Sequence, residues 1–199
     1  MSSSKNSPDV CTRCAESPPT CCVLSEVEKE LCFPIFPDEQ KQLEQATPAR
    51  TSDQPGCEPP FVKSPNTPEL IQAMLRLFPG EEDAIRELFP DGGEHVRLGT
   101  DADGYCVFLG DSGCVFSPGK RPAHCRLFPM WVDGNKPRYL DAQCLAIEEA
   151  RGMAMLYRLL DTDPACVRAA YQELRRFWGL PPMEEDDLEE NGGDAVEAP

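Results

Sequence analysis

Eleven of the 199 residues are cysteines, and eight of them fall into two groups by spacing. The first group is Cys11-x2-Cys14 followed by the vicinal pair Cys21-Cys22; the second is Cys106-x7-Cys114-x10-Cys125 with Cys144 behind it. A Cys-x2-Cys turn can aim two sulfurs at one ion. Four thiolates complete a tetrahedral zinc site or hold the corners of an iron-sulfur cluster. The CxxC pair alone is a weak signal, and the vicinal pair and the second group are what strengthen it. Which metal, and how the eight sulfurs divide, are left open by the spacing.

The compartment decides whether such thiols bridge or bind. No apolar run follows Met1-Ser2-Ser3-Ser4-Lys5-Asn6 that could serve as a secretory signal, so the expectation is a reducing cytoplasm. There, clustered thiols bind metal or do redox chemistry, and the odd cysteine count argues the same way against a disulfide framework. Thirty-five acidic against nineteen basic side chains leave a net charge of -16, which repels phosphate backbones and makes nucleic acid or an anionic membrane a poor expectation as partner. No stretch of eighteen uninterrupted apolar residues is present.

The elements that must position the sulfurs are partly readable. Residues 1–10 are polar and expected to fray. Residues 184–199 hold eight acids and no base, so half of the net charge belongs to an acidic tail beginning near 183 and expected to be disordered. Residues 47–65, with five prolines and Cys57, read as a linker or long loop. This leaves one cysteine-bearing domain over 11–182. Thr67 and Pro68 predict the start of a helix carrying Leu70, Ile71, Met74, Leu75 and Phe78, and a short helix through Ile85 and Leu88 follows. Asp141 is read as the cap of a helix running to about Leu160, and Asp163-Pro164 as the start of another that Gly179 stops.

Strand signal concentrates in 95–117, where Tyr105–Leu109 and Cys114–Ser117 flank Gly110-Asp111-Ser112-Gly113. A three-residue loop closed by Gly113 is the expected register, because it sets Cys106 and Cys114 on one face; a two-residue Asp111-Ser112 turn would separate them. The expected architecture is therefore α+β: a small hairpin and cysteine-rich loops packed on three to five helices and organised around metal.

These residues resemble a known family, the cysteine-cluster proteins of the YkgJ type, described as a zinc- or iron-chelating domain. Members show a CxxC, a CC pair, a variable middle, a Gly-x-Cys strand, a further cysteine, an RPxxCRxFP segment and a last cysteine. Here those elements read Cys11, Cys14, Cys21, Cys22; Gly104-Tyr105-Cys106; Cys114; Arg121-Pro122-Ala123-His124-Cys125-Arg126-Leu127-Phe128-Pro129; and Cys144. The six residues between Cys14 and Cys21 exceed the usual spacer, and the middle up to Cys106 is long. The resemblance implies metal chelation by cysteines and supplies no activity.

Charge gives the basic segment its own role. Four thiolates around Zn²⁺ or a [4Fe-4S]²⁺ core sum to -2, so Lys120, Arg121, His124 and Arg126 around Cys125 are expected to lower thiol pKa values and support metal-bound sulfur from the second shell. Cys144, placed in the first turn of the helix capped by Asp141, would gain from its dipole. Cys32, Cys57 and Cys166 are not expected to be ligands, and Cys166 reads as a small buried hydrophobe.

Rival chemistries are weaker. Gly110-Asp111-Ser112-Gly113 copies the nucleophile loop of trypsin-like proteases, but it is the turn of a cysteine hairpin, and the two histidines, His95 and His124, are badly spaced for a triad. Flagellin lysine N-methylases contain a related cysteine-rich domain, so an iron-sulfur-dependent methyltransferase stands as an alternative, although Asp91-Gly92-Gly93 lacks the third glycine and helix of a nucleotide loop. A third reading is a zinc-stapled interaction module, which chelation would unfold.

Overall fold

The computed structural model describes residues 10–15, 21–25, 29, 32–46, 56–110 and 113–183. The terminal segments 1–9 and 184–199 and the Asp111-Ser112 turn lie outside the described residues. Val10 is buried and opens the first helix, and Met183 exchanges hydrogen bonds with Gln172.

Two helices form where caps and apolar periodicity coincide. Thr67 Oγ1 accepts the Leu70 N–H at 3.2 Å, Pro68 needs no N–H partner, and helix α3, Pro68–Leu77, buries Leu70, Ile71 and Met74. Asp163 accepts the Cys166 N–H at 2.7 Å and opens α8, Pro164–Trp178, whose inward face is Val167, Ala170, Tyr171, Leu174, Phe177 and Trp178. Gly179 closes α8 at φ 70°, a conformation that glycine adopts without penalty, with Leu180 N–H bonded to Arg175 O. Arg175 is tolerated on this face because both Nη groups pair with Glu81, at 2.6 and 2.8 Å, and Nε donates to Pro181 O. With α4, Glu82–Leu88, these helices enclose the larger apolar cluster, centred on Phe78, Trp131 and Trp178.

Among the described residues, three two-stranded antiparallel sheets complete an α+β architecture. β1, Phe61–Pro65, pairs with β2, Glu94–Leu98, from Phe61↔Leu98 to Pro65↔Glu94, and so closes a ring around α3 and α4. β3, Leu109–Gly110, pairs with β4, Gly113–Cys114; β5, Met130–Asp133, pairs with β6, Lys136–Tyr139. The shorter helices are α1, Val10–Ala15; α2, Pro37–Ala46; α5, Ala123–Leu127; α6, Leu145–Glu149; and α7, Met153–Leu159; Pro118–Lys120 is a 3₁₀ turn. Among the described residues no helix is long and apolar enough to cross a membrane.

Several expectations need correction. The helix expected from Asp141 to Leu160 is two: α6 ends at Glu149 with Ala150 as its C-cap, and Gly152 at φ 126° turns the chain into α7, a conformation that no L side chain holds easily. The helices outnumber the three to five expected, because α1, α2, α5 and α6 owe their form to tertiary anchors. Strand is not confined to 95–117, since β1 and the β5–β6 hairpin lie outside it. Nor is the end of the 47–65 stretch a linker: residues 61–65 are β1, and Glu58 is locked onto β2.

That lock is a bidentate pair, Arg97 to Glu58 at 2.8 and 2.9 Å, while Glu58 Oε2 also accepts Thr100 N–H at 2.8 Å. These donors, the Arg97 hydrogen bond first, hold the Glu58 carboxyl down at about 2. A depressed carboxylate stabilises the fold above its ordinary range and ceases to do so as pH falls through the folded value. Glu58→Gln should therefore be less stable than the parent at neutral pH, and the gap should close between about pH 4.5 and 2 in urea titrations. A gap independent of pH would contradict this assignment.

Candidate metal centre

The hairpin has the two-residue register, Leu109↔Cys114 and Gly110↔Gly113, not the three-residue one that was expected. The inference drawn from register fails with it. Leu109 N–H bonds to Cys106 O at 2.8 Å, a turn that interrupts the strand before Cys106, so alternation does not run from Leu109 back to the cysteine. Cys106 instead bridges Thr100, and it packs with Cys114 and Cys125 against the smaller apolar cluster of Ile35, Leu43, Leu98, Phe108 and Phe116.

The N-terminal sulfurs are brought in by backbone pairing. Cys106 N–H donates to Cys22 O at 2.7 Å, Val23 bridges Tyr105, and Leu24 N–H donates to Gly104 O at 2.8 Å. The approach explains the glycine of Gly104-Tyr105-Cys106: it sits at φ +86°, and a Cβ there would lie 2.3 Å from Leu24 O. Helix α1 carries Cys11 and Cys14 onto β4 and α6, clamped by Arg13 to Glu149 at 2.7 and 2.8 Å. Cys144 occupies the N-cap position of α6, one step before the expected first turn.

Electrostatic neighbours regroup the sulfurs across the two sequence clusters. Cys106 and Cys125 both feel the charges of Cys22, Cys114 and Cys32, while Cys144 feels that of Cys14. Cys21 hydrogen-bonds to Cys22 and lies within the influence of Cys125 and Cys11, between the two groups. All eleven cysteines are thiols rather than disulfides. Among the described residues, no three His, Cys, Asp or Glu side chains stand together as a metal-binding group, so the sulfurs are neighbours rather than a closed coordination shell.

Burial dominates the thiols. It pushes Cys106 up to about 12, Cys125 well above its ordinary value, and Cys114 and Cys144 upward as well. The expected lowering by the basic segment is thus outweighed. Arg121 hydrogen-bonds the Cys114 thiol and opposes the rise. Arg126 turns away to Glu173, at 2.5 Å. His124 contacts Cys125 Sγ through Nε2 at 3.2 Å and stacks on Phe33, and burial depresses it to about 4, so at neutral pH it is an uncharged imidazole. The donor set suits a thiophilic metal in kind, since soft sulfur selects zinc and iron-sulfur clusters and a cation would offset the charge that four thiolates gather.

Cys32, to which spacing gives no role, lies near these sulfurs. It lies close enough for its charge to bear on Cys106 and Cys125, it is pushed up to about 11 by burial, and Arg97 opposes that shift. Its sulfur neighbours lie more than seventy residues away in sequence, and no local signal marks it. Cys166 is exposed, not buried, because it sits in the open first turn of α8 beside Asp163. Asp91-Gly92-Gly93 leads into strand β2 rather than a helix, and so gives no nucleotide loop. No family model, curated protein or solved structure matches the chain.

Proposed function

We propose that this chain binds zinc or iron, the iron as an iron-sulfur cluster, through cysteine thiolates, the function that its resemblance to the YkgJ-type cluster proteins implies. Cys22, Cys106, Cys114 and Cys125 form the principal donor set. Cys11, Cys14 and Cys144 form a second group, with Cys21 between them. The observation that supports this reading most is the Cys22 O to Cys106 N–H bond, which brings together cysteines 84 positions apart in the sequence. Arg121 against Cys114 supplies positive charge and a donor to metal-bound sulfur. A cytoplasmic location follows from the same reading, since thiols stay reduced there.

Anaerobic purification of the full chain with elemental and acid-labile sulfide analysis tests the proposal. Zinc at about one ion per chain or more without sulfide supports a structural site, and iron with comparable sulfide supports a cluster and keeps methyl or electron transfer open. Metal at trace levels, with all thiols titrating, would refute it.

A further inference from the structure

We infer that Glu39 is a positioning residue for the Cys125 thiol, acting through the backbone of α5. The inference rests on the proposed role of Cys125 as a metal donor, but its geometry stands apart from that role.

Cys125 is the third residue of a five-residue helix, too short to sustain itself in water. Pro122 occupies the N-cap position without a side-chain cap, so the first N–H groups of α5 have no intrahelical acceptor. Glu39 provides one from 84 positions upstream, its Oε1 accepting the Ala123 N–H at 2.7 Å. Glu39 is 3 % exposed and Ala123 1 %, so water has little access to take over that bond.

The carboxylate is itself fixed. Leu43, one helical turn along α2, is buried in the same apolar cluster against which Cys125 packs, so the Glu39–Leu43 face of α2 and the sulfur share one wall. At its other end α5 is held to α8 by the Arg126–Glu173 ion pair. The helix bearing Cys125 is therefore held by a polar anchor on each side of the sulfur, on α2 and on α8, besides the apolar packing of Ala123 and Leu127. A buried carboxylate is costly where an apolar side chain would fill the space, and the hydrogen bond to Ala123 accounts for its placement.

The test compares Glu39→Gln, which keeps a carbonyl acceptor at the same reach, with Glu39→Leu, which fills the space without one. The full chain is loaded with Co²⁺ as probe, and the sulfur-to-cobalt charge-transfer band and the affinity against a competing chelator are read. Alkylation of Cys125 is timed in the same molecules, with exposed Cys166 as internal reference. Glu39→Leu should weaken cobalt binding roughly tenfold to a hundredfold, change the band and speed Cys125 alkylation relative to Cys166, while Glu39→Gln stays within about threefold of the parent.

Ile85→Ala controls for stability, since it weakens the larger cluster without touching the Ala123 bond or the wall that holds Cys125. Equal losses in Glu39→Leu and Ile85→Ala at matched melting temperature would overturn the inference, and so would parent-like binding in Glu39→Leu. Should Glu39→Leu fail to fold, Glu39→Asp, one methylene too short to reach, replaces it in the same comparison. A parent chain that takes up no cobalt defeats the metal proposal instead, and the alkylation ratio then decides the role of Glu39 by itself.

Discussion

Serine at position 125 should cost the chain its principal metal. Structural four-thiolate sites carry about 10–16 kcal/mol of apparent binding energy, roughly 2.5–4 kcal/mol per sulfur, so the loss is expected to be a hundredfold or more in affinity. Cys125→Ser and Cys106→Ser should behave alike, because each sulfur lies within the charge influence of the same three thiols. Cys144→Ser should spare this set, since its sulfur neighbour is Cys14. Cys166→Ser is the control, being exposed in the first turn of α8. Competition with a chromophoric chelator gives the affinities. A Cys125→Ser chain that binds like its parent, with helical signal intact, would remove Cys125 from the donor set.

The second large effect concerns metal removal. A domain organised wholly by metal would unfold outright on chelation, but the two apolar clusters divide that outcome. The larger one, around Phe78, Trp131 and Trp178, contacts α3, α4, α8 and the β5–β6 hairpin. The smaller has five fully buried side chains, with Cys106, Cys114 and Cys125 on its edge. Five such side chains yield about 8–15 kcal/mol of gross burial, while ordering the loops that surround them costs about 1–2 kcal/mol for each residue fixed. On the proposed reading that region draws its order from metal, and the helical body draws its order from apolar packing. Chelation should leave most helical ellipticity in place while amide protection at Leu98, Phe108 and Phe116 collapses by orders of magnitude in hydrogen exchange. Unchanged protection at those three residues would show that the sulfurs contribute nothing to local order.

Local chemistry made some of this legible and tertiary contact hid the rest. Helices α3 and α8 could be read because Thr67-Pro68 and Asp163-Pro164 stand beside apolar residues at helical spacing, so cap and face agree. The β5–β6 hairpin carried a readable signal too, an apolar Met130-Trp131-Val132 run before Asp133-Gly134, with Gly134 at φ 57° in the turn. The register of β3 and β4 was not readable in the same way. Its consequence for Cys106 depends on a turn held by Thr100 and Cys22, which lie outside the hairpin.

Spacing in the sequence groups the eight candidate sulfurs by neighbourhood in the chain. The fold sorts them by backbone pairing, so Cys22, still bonded to Cys21, sits on Cys106 rather than with the CxxC pair. Cys32 and Glu39 carried no sequence signal, because each acquires its meaning from contacts with residues tens of positions away. The basic segment shows the converse case. Arg121 and Arg126 look equivalent in RPxxCRxFP, yet one faces a thiol and the other an acid on α8.

X-ray absorption at the edge of whichever metal co-purifies bears most directly on the claim that clustered thiolates hold it. The expected result is a first shell dominated by about four sulfurs near 2.3 Å for zinc. For iron, the shell should again be sulfur, with a metal–metal vector if a cluster is present. A first shell of oxygen and nitrogen near 2.0–2.2 Å, or no bound metal at all, would contradict the account.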